Sequence, residues 1–250
     1  GENDTLASSN GASTAVNANI TNKCGQTALL LYCHNKELRQ YQFYHDVLEL
    51  FLDHGKKSIG NEDDDNSSFL DVGADPNICS HSGCSPLHLA LYYHDIDAAV
   101  MLVQAGASLN IPWKKPLEWD IHWEDTGLSH VLPLDMVRDD HSVHQLLSAI
   151  SRPQPWAEGR SSCMECRTSF STFEREHHCR HCGRSVCGNC SPGILEANYF
   201  PQNFLGCVVQ QQNVSSNSSS SAGVRVCIKC EDVLIAKKRE MIEMTFNPVY

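Results

Sequence analysis

No stretch of about 18 consecutive apolar residues occurs in the chain, so no segment reads as a membrane-spanning helix. No short apolar core stands near the first residue either, and a cytosolic chain is therefore expected. The first residue is Gly1 rather than Met, which fits a fragment or a processed product. Positive charge is scarce: 19 Lys and Arg stand against 30 Asp and Glu, a net charge of −11. On its own that sign argues against a nucleic-acid or membrane binder. The charge is also uneven. Residues 156–231 hold seven basic and six acidic side chains, net +1, which leaves −12 on the rest. A locally basic module inside an acidic chain can still meet an anionic surface.

Cysteine, by contrast, is plentiful, with 13 residues. In a secreted chain that number suggests disulfides. Here eight of them form four CxxC pairs: Cys163 and Cys166, Cys179 and Cys182, Cys187 and Cys190, Cys227 and Cys230. Thiolates at this spacing suit Zn²⁺, a borderline-soft ion that takes four tetrahedral ligands without redox chemistry. Only four residues separate Cys182 from Cys187. That gap favours an interleaved cross-brace over two beads on a string. Pairs one and three then hold a first zinc, and pairs two and four a second. Two closed Cys₄ sites leave no open coordination position, so two structural Zn²⁺ ions and no catalysis are expected. Cys24, Cys33, Cys79, Cys84 and Cys207 read as free, mostly buried thiols.

Upstream of the cysteine frame a weak internal repeat runs over residues 22–150. Its clearest copy spans Ser82 to Asn110, with Ser85-Pro86-Leu87-His88-Leu89-Ala90 opening a first helix and Ala98 to Ala105 filling a second. This resembles the ankyrin repeat and its T-P-L-H-x-A signature. Ser85 is placed to cap the first helix, with Pro86 in its first turn. Gly106 is placed to close the second helix, and His88 to bond across the turn between the two. A second copy uses Thr27-Ala28-Leu29-Leu30 and Asp46–Leu52, interrupted by an acidic insertion around 55–70. A third, degraded copy uses Val131–Val137 and Val143–Ile150. Trp113, Trp119 and Trp123 in the connection between copies two and three are expected to pack against the array. Residues 1–21 read as a disordered lead-in. Residues 151–155 read as a stiff linker, 208–222 as a low-complexity loop, and 234–250 as a C-terminal helix and tail. The closing NPVY, Asn247 to Tyr250, matches a tetrapeptide that adaptor domains read as a tight turn, though four residues also arise by accident.

The segment around the third ligand cysteine reads Arg175-Glu176-His177-His178-Cys179-Arg180-His181-Cys182-Gly183. Trp156-Ala157-Glu158-Gly159 precedes it and Arg225-Val226-Cys227 follows. Together with the eight cysteines these segments resemble the FYVE zinc-finger family and its WxxD, R(R/K)HHCRxCG and RVC signatures. With ankyrin repeats upstream, the architecture is similar to ankyrin–FYVE proteins of the rabankyrin type. The resemblance implies a multi-domain chain: an all-α ankyrin-repeat solenoid, then a small cross-brace two-zinc FYVE/PHD-type finger over 156–233, with short β-hairpins and a C-terminal helix.

It further implies recognition of phosphatidylinositol 3-phosphate on early endosomal membranes, without catalysis. Arg175, Arg180 and Arg225 are expected on phosphates, and His177 and His178 on phosphate or ring hydroxyls. An imidazole donates from both nitrogens only when protonated, so binding is expected to strengthen as pH falls toward about 6. Thr172 and Phe173 form the expected membrane-inserting tip. A protein partner is expected on the ankyrin surface, and a homodimer stays open. Two departures bear on this reading. Gly159 stands where the motif has Asp, with Glu158 one position early, and Glu176 replaces a basic residue. They leave room for an alternative, a FYVE-related protein-interaction finger without lipid binding. A RING-type ubiquitin ligase shares the cross-brace, but it explains neither HHCR nor RVC, and RING fingers normally include a His ligand.

Overall fold

The computed structural model of the 250-residue chain describes residues 17–53, 73–114, 130–201, 204 and 223–246. The acidic insertion, Trp119, Trp123, Cys207, the 208–222 stretch and the terminal NPVY lie outside the described residues.

Four of the five early helices begin where the sequence supplies a side-chain oxygen for a free backbone N–H. Thr27 Oγ1 accepts from Leu30 N at 3.2 Å and starts α1, Ala28–His34. Helix α2 is Tyr44–Asp53. Ser85 starts α3, Pro86–Tyr92, with Pro86 in the first turn. Asp95 Oδ1 accepts from Ala98 N at 3.0 Å and starts α4, Ile96–Gln104. Asp139 Oδ1 accepts from Ser142 N at 2.7 Å and starts α5, Asp140–Ser148. Gly106, at φ +100°, follows α4 in the left-handed conformation expected of a helix-closing glycine.

Helix α1 packs on α3, α2 on α4, and α4 on α5. In the third layer the first helix is reduced to a 3₁₀ turn, Pro133–Met136, which packs on α3. The described residues therefore give three short helical layers and do not confirm the all-α solenoid that the resemblance implied. Trp113 is buried, its ring 5.4 Å from that of His88, and its backbone bridges to Val131.

His88 departs from expectation. Its Nδ1 does not reach across the turn between helices. It accepts from Ser85 N at 3.2 Å, while Ser85 Oγ accepts from His88 N at 3.4 Å, a reciprocal capping box. The side chain is fully buried, and burial lowers its pKa to about 4, with the nearby backbone of Val131 and Ile111 opposing this. An unfolded chain carries this imidazole near about 6.5. Below that pH the unfolded state binds a proton that the folded state refuses, so stability is full above about 6.5 and falls as pH drops toward about 4. The cumulative loss is on the order of 3 kcal/mol. Denaturant titrations of the chain and of His88→Gln at pH 7 and pH 5 should show the slope with pH reduced in the variant.

The second module is built from two two-stranded antiparallel sheets and a long helix. Strand β1, His177–His178, pairs with β2, Ser185–Val186, and β3, Ile194–Leu195, pairs with β4, Val224–Arg225. Helix α6, Ile228–Phe246, begins inside the last CxxC pair, earlier than the expected start at 234. Only its first half is covered. Val233 and Leu234 are buried, whereas Met241, Ile242 and Met244 are exposed. Helices α5 and α6 pack on each other, and buried residues of both modules belong to one continuous apolar cluster.

Candidate functional site

The four cysteine pairs converge as an interleaved cross-brace. Cys163, Cys166, Cys187 and Cys190 form one cluster and Cys179, Cys182, Cys227 and Cys230 another, each with all four Sγ atoms within 4.8 Å of one another. A tetrahedral ion with Zn–S bonds of about 2.3 Å needs sulfurs about 3.8 Å apart. Cys166 and Cys187 stand at 3.7 Å, and Cys182 and Cys227 at 3.8 Å. Donor type, number and spacing therefore fit two structural zinc ions.

The two centres differ in depth. All four ligands of the second are buried, while Cys166 of the first is exposed. In each cluster the thiols are driven apart in acidity, with burial and neighbouring thiols pushing Cys190 up and hydrogen bonds with Cys179 and Cys227 pushing Cys182 up, while others come down. The Thr168 hydroxyl, 3.2 Å from Cys166 Sγ, leads the effects that bring the Cys166 thiol down to about 6. Burial pushes Cys179 up, but hydrogen bonds from Cys182, Cys227 and Cys230 carry it well below an ordinary thiol.

Two residues beside the centres escaped the sequence reading. His181 sits between two ligands, buried, its Nδ1 3.3 Å from Cys230 Sγ and its ring 5.5 Å from that of Phe204. Burial lowers its pKa to about 4. Arg184 is buried, donates to Met164 O, and pairs with Glu165 at 2.9 Å. Burial opposes its charge, yet Cys182 and Glu165 hold its pKa above the ordinary value. Its place directly after the Cys-Gly of the second pair was the available signal. A single Arg outside the motif reads as surface, and only the fold shows it buried.

Around the second centre the basic residues are set by short turns. Arg180 lies between Cys179 and Cys182, and its backbone N–H donates to Arg225 O at 3.0 Å, joining the two arginine-bearing segments. Its guanidinium stands 4.6 Å above the Trp156 ring. That ring is half-exposed and stacks on His178, with centroids 4.4 Å apart and planes 14° apart. His178 Nε2 also lies 3.3 Å from Ser185 Oγ and 3.5 Å from Glu176 Oε1. Arg225 donates to Ser191 O at 2.6 Å. The structure thus gathers Trp156, His178, Arg180 and the backbone of Arg225.

His177 is the next residue on β1, and alternation along a strand sends it to the other side. A methyl group at Gly188 would stand 3.9 Å from His177 Nε2 and 4.0 Å from the Glu174 carboxylate. Arg175 is exposed in the turn before β1. Phe173, 98% exposed, stands at the tip of that turn beside exposed Thr172, with Ser171 Oγ accepting from Phe173 N and Glu174 N. Gly159 has φ +67° with no atom within 4 Å of where a Cβ would be. Space for an Asp exists there, but the backbone conformation favours glycine. Glu158 and Arg160 line a cleft of about 520 Å³ between the modules.

Comparison with known proteins matches residues 155–236 to the FYVE zinc finger and residues 82–114 to the ankyrin repeat. Rabankyrin-5 of Mus musculus is 37% identical over 92 residues, covering 37% of this chain and 6% of that protein. Vacuolar protein sorting-associated protein 27 of Mycosarcoma maydis is 42% identical over 55 residues, 22% of this chain and 6% of its own length. Among solved structures, the VHS and FYVE tandem domains of Hrs match at 29% identity and TM-score 0.24, covering 34% of this chain and 31% of that one. The FYVE domain LM5-1 of Leishmania major matches at 26% identity and TM-score 0.22, covering 33% of this chain and 79% of that one. The chain spans only 6% of the length of the first relatives it matches. A segment matched to the ankyrin repeat thus precedes one matched to the FYVE zinc finger, in which two Cys₄ clusters fit zinc, and these matches support an ankyrin–FYVE architecture.

Proposed function

We propose that this chain is a non-enzymatic peripheral membrane adaptor. Its finger docks on phosphatidylinositol 3-phosphate at early endosomes, and its helical layers, as part of an ankyrin stack, hold a protein partner. One observation carries the reading: Arg180 is fixed over a half-exposed Trp156 that is stacked on His178, and its backbone is tied to Arg225. A guanidinium so held presents a pre-organised fork to a phosphate monoester. The matched proteins support the setting. One of them is named a vacuolar protein sorting-associated protein.

The exposed Phe173 supplies the apolar contact with the bilayer. A fully buried Phe contributes about 1.5–3 kcal/mol over an exposed one. Phe173→Ser is therefore expected to weaken liposome partitioning roughly 10- to 100-fold while leaving zinc content and thermal stability unchanged. Sedimentation with graded lipid concentrations reads the partition coefficient directly.

A second reading has its own observation. Glu176 sits 3.5 Å from His178 Nε2, so a carboxylate already occupies an imidazole that should meet an anion, and Gly159 supplies no carboxylate for ring hydroxyls. A finger so altered would serve protein contacts alone. Flotation of the chain with liposomes that contain or lack phosphatidylinositol 3-phosphate, at pH 6 and pH 7.4, separates the two. Lipid-dependent flotation that is stronger at pH 6 supports the adaptor, and equal flotation on both liposomes supports the altered finger.

A further inference from the structure

The second zinc centre is in contact with more than the finger. Asn110, in the loop after α4, is 9% exposed and points its amide into the finger. Its Nδ2 donates to Cys182 O at 2.8 Å and to Pro155 O at 2.7 Å. Gly183 follows at φ +72°, and a methyl there would lie 2.1 Å from Pro155 O and 2.6 Å from Asn110 Nδ2. No larger residue fits while this contact is made. One residue earlier in the same turn, His181 O accepts from Gln154 N at 3.2 Å. Gln154 in turn accepts from Leu109 N at 2.9 Å through its buried side chain.

The other half of the centre is tied in as well. Cys227 and Cys230 lead into α6, which packs on α5, and Lys237 Nζ donates to Ser148 O at 2.8 Å. Both ligand-bearing turns are therefore held by the helical layers. The backbone bonds of the first centre's turns close on the finger's own residues, Cys163 N on Thr168 O, Met164 N on Ser185 O and Cys190 N on Cys187 O. Among the described residues these turns meet the helical layers only through side chains, Met164 beside Leu132 and Glu165 by way of Lys229 to Asp140.

We infer that the second zinc centre is the joint between the two modules, with Asn110 and Gln154 as positioning residues, so that the helical layers and this centre gain and lose structure as one cooperative unit. The physical reason is the cost of separation. Opening the joint exchanges the bonds to Cys182 O, Pro155 O and His181 O for water and exposes the apolar cluster that both modules share. Zinc that organises the Cys179–Cys182 turn also completes the acceptor set for Asn110, so metal and helices stabilise each other. Arg180 lies within that turn, and the joint therefore also fixes where Arg180 stands relative to the helical surface.

The test uses the full zinc-loaded chain and does not depend on lipid binding. Zinc is withdrawn with a chelator while hydrogen exchange is followed in α4 and in the Cys179–Cys182 turn. Loss of protection in both in the same step is expected. Helices that keep their protection after the second centre has emptied overturn the inference. The reciprocal arm loads the chain with cadmium, whose NMR resonances report the two tetrathiolates separately, and competes the metal away. Asn110→Ala is expected to weaken the second centre about tenfold or more and to change the first less than about twofold. An equal shift at both centres, or none, overturns it. Should Asn110→Ala fail to fold, Gln154→Ala is read by the same criterion.

Discussion

Cys182→Ser is expected to lower the metal content from two zinc ions per chain to one and to unfold the finger at ordinary temperature. Cys182 is completely buried, and its sulfur lies 3.8 Å from Cys227 Sγ, the spacing a tetrahedral ion requires. A hydroxyl at that place is a far poorer ligand than a thiolate. Binding of a structural zinc contributes about 10–16 kcal/mol to the folding of small zinc modules, against a total stability of about 5–15 kcal/mol for a typical domain. Losing even half of the metal term exhausts the stability of the finger. Cys79→Ser provides the contrast. Cys79 stands outside both clusters, in the loop before α3, and that variant is expected to keep both metal ions. Elemental analysis and a thermal scan of the two variants settle the matter. Two zinc ions retained in folded Cys182→Ser would remove the second centre from the scheme.

The metal frame was legible because its chemistry is local. A CxxC turn brings two sulfurs together with little help from the rest of the chain, and the short Cys182–Cys187 gap already implied the interleaving seen in the two clusters. The helix starts were legible for the same reason, since Thr27, Ser85, Asp95 and Asp139 act on a backbone N–H within three residues. What the sequence hid depends on long-range contact. His88 completes a capping box, where the motif suggested a bridge between helices, and its burial is visible only once Trp113 packs beside it. Arg184 and His181 become part of the finger's interior through neighbours 19 to 49 residues away. Residues 151–155 read as a spacer, yet Gln154 is bonded to both modules and Pro155 to Asn110, because Leu109 and Asn110 lie 45 residues upstream. The HH dipeptide suggested a single cradle for both imidazoles. Strand alternation instead gives His178 to Trp156 and directs His177 toward Gly188.

Arg180→Ala is expected to abolish flotation that depends on phosphatidylinositol 3-phosphate, with a loss of about 100-fold or more, while both zinc ions remain bound. The separation of effects follows from how Arg180 is held. Its structural tie is the backbone N–H to Arg225 O, which alanine keeps. Of its five side-chain donors, one reaches His178 O at 3.4 Å. The guanidinium is otherwise braced by the face of Trp156, which holds its plane without consuming its N–H groups. Arg225 makes a less clean test, because its side chain donates to Ser191 O at 2.6 Å and its removal disturbs the fold beside the site. A charge-assisted pair with phosphate contributes about 1.5–3 kcal/mol, and truncating a desolvated partner costs about 2–5 kcal/mol. Arg180→Lys keeps the charge but loses the fork and the stacking, so an intermediate loss is expected. If alanine and wild type float equally, no phosphate sits on this guanidinium. The Arg180–Trp156–His178 cluster would then be a brace for the second zinc centre, and the altered-finger reading would take its place.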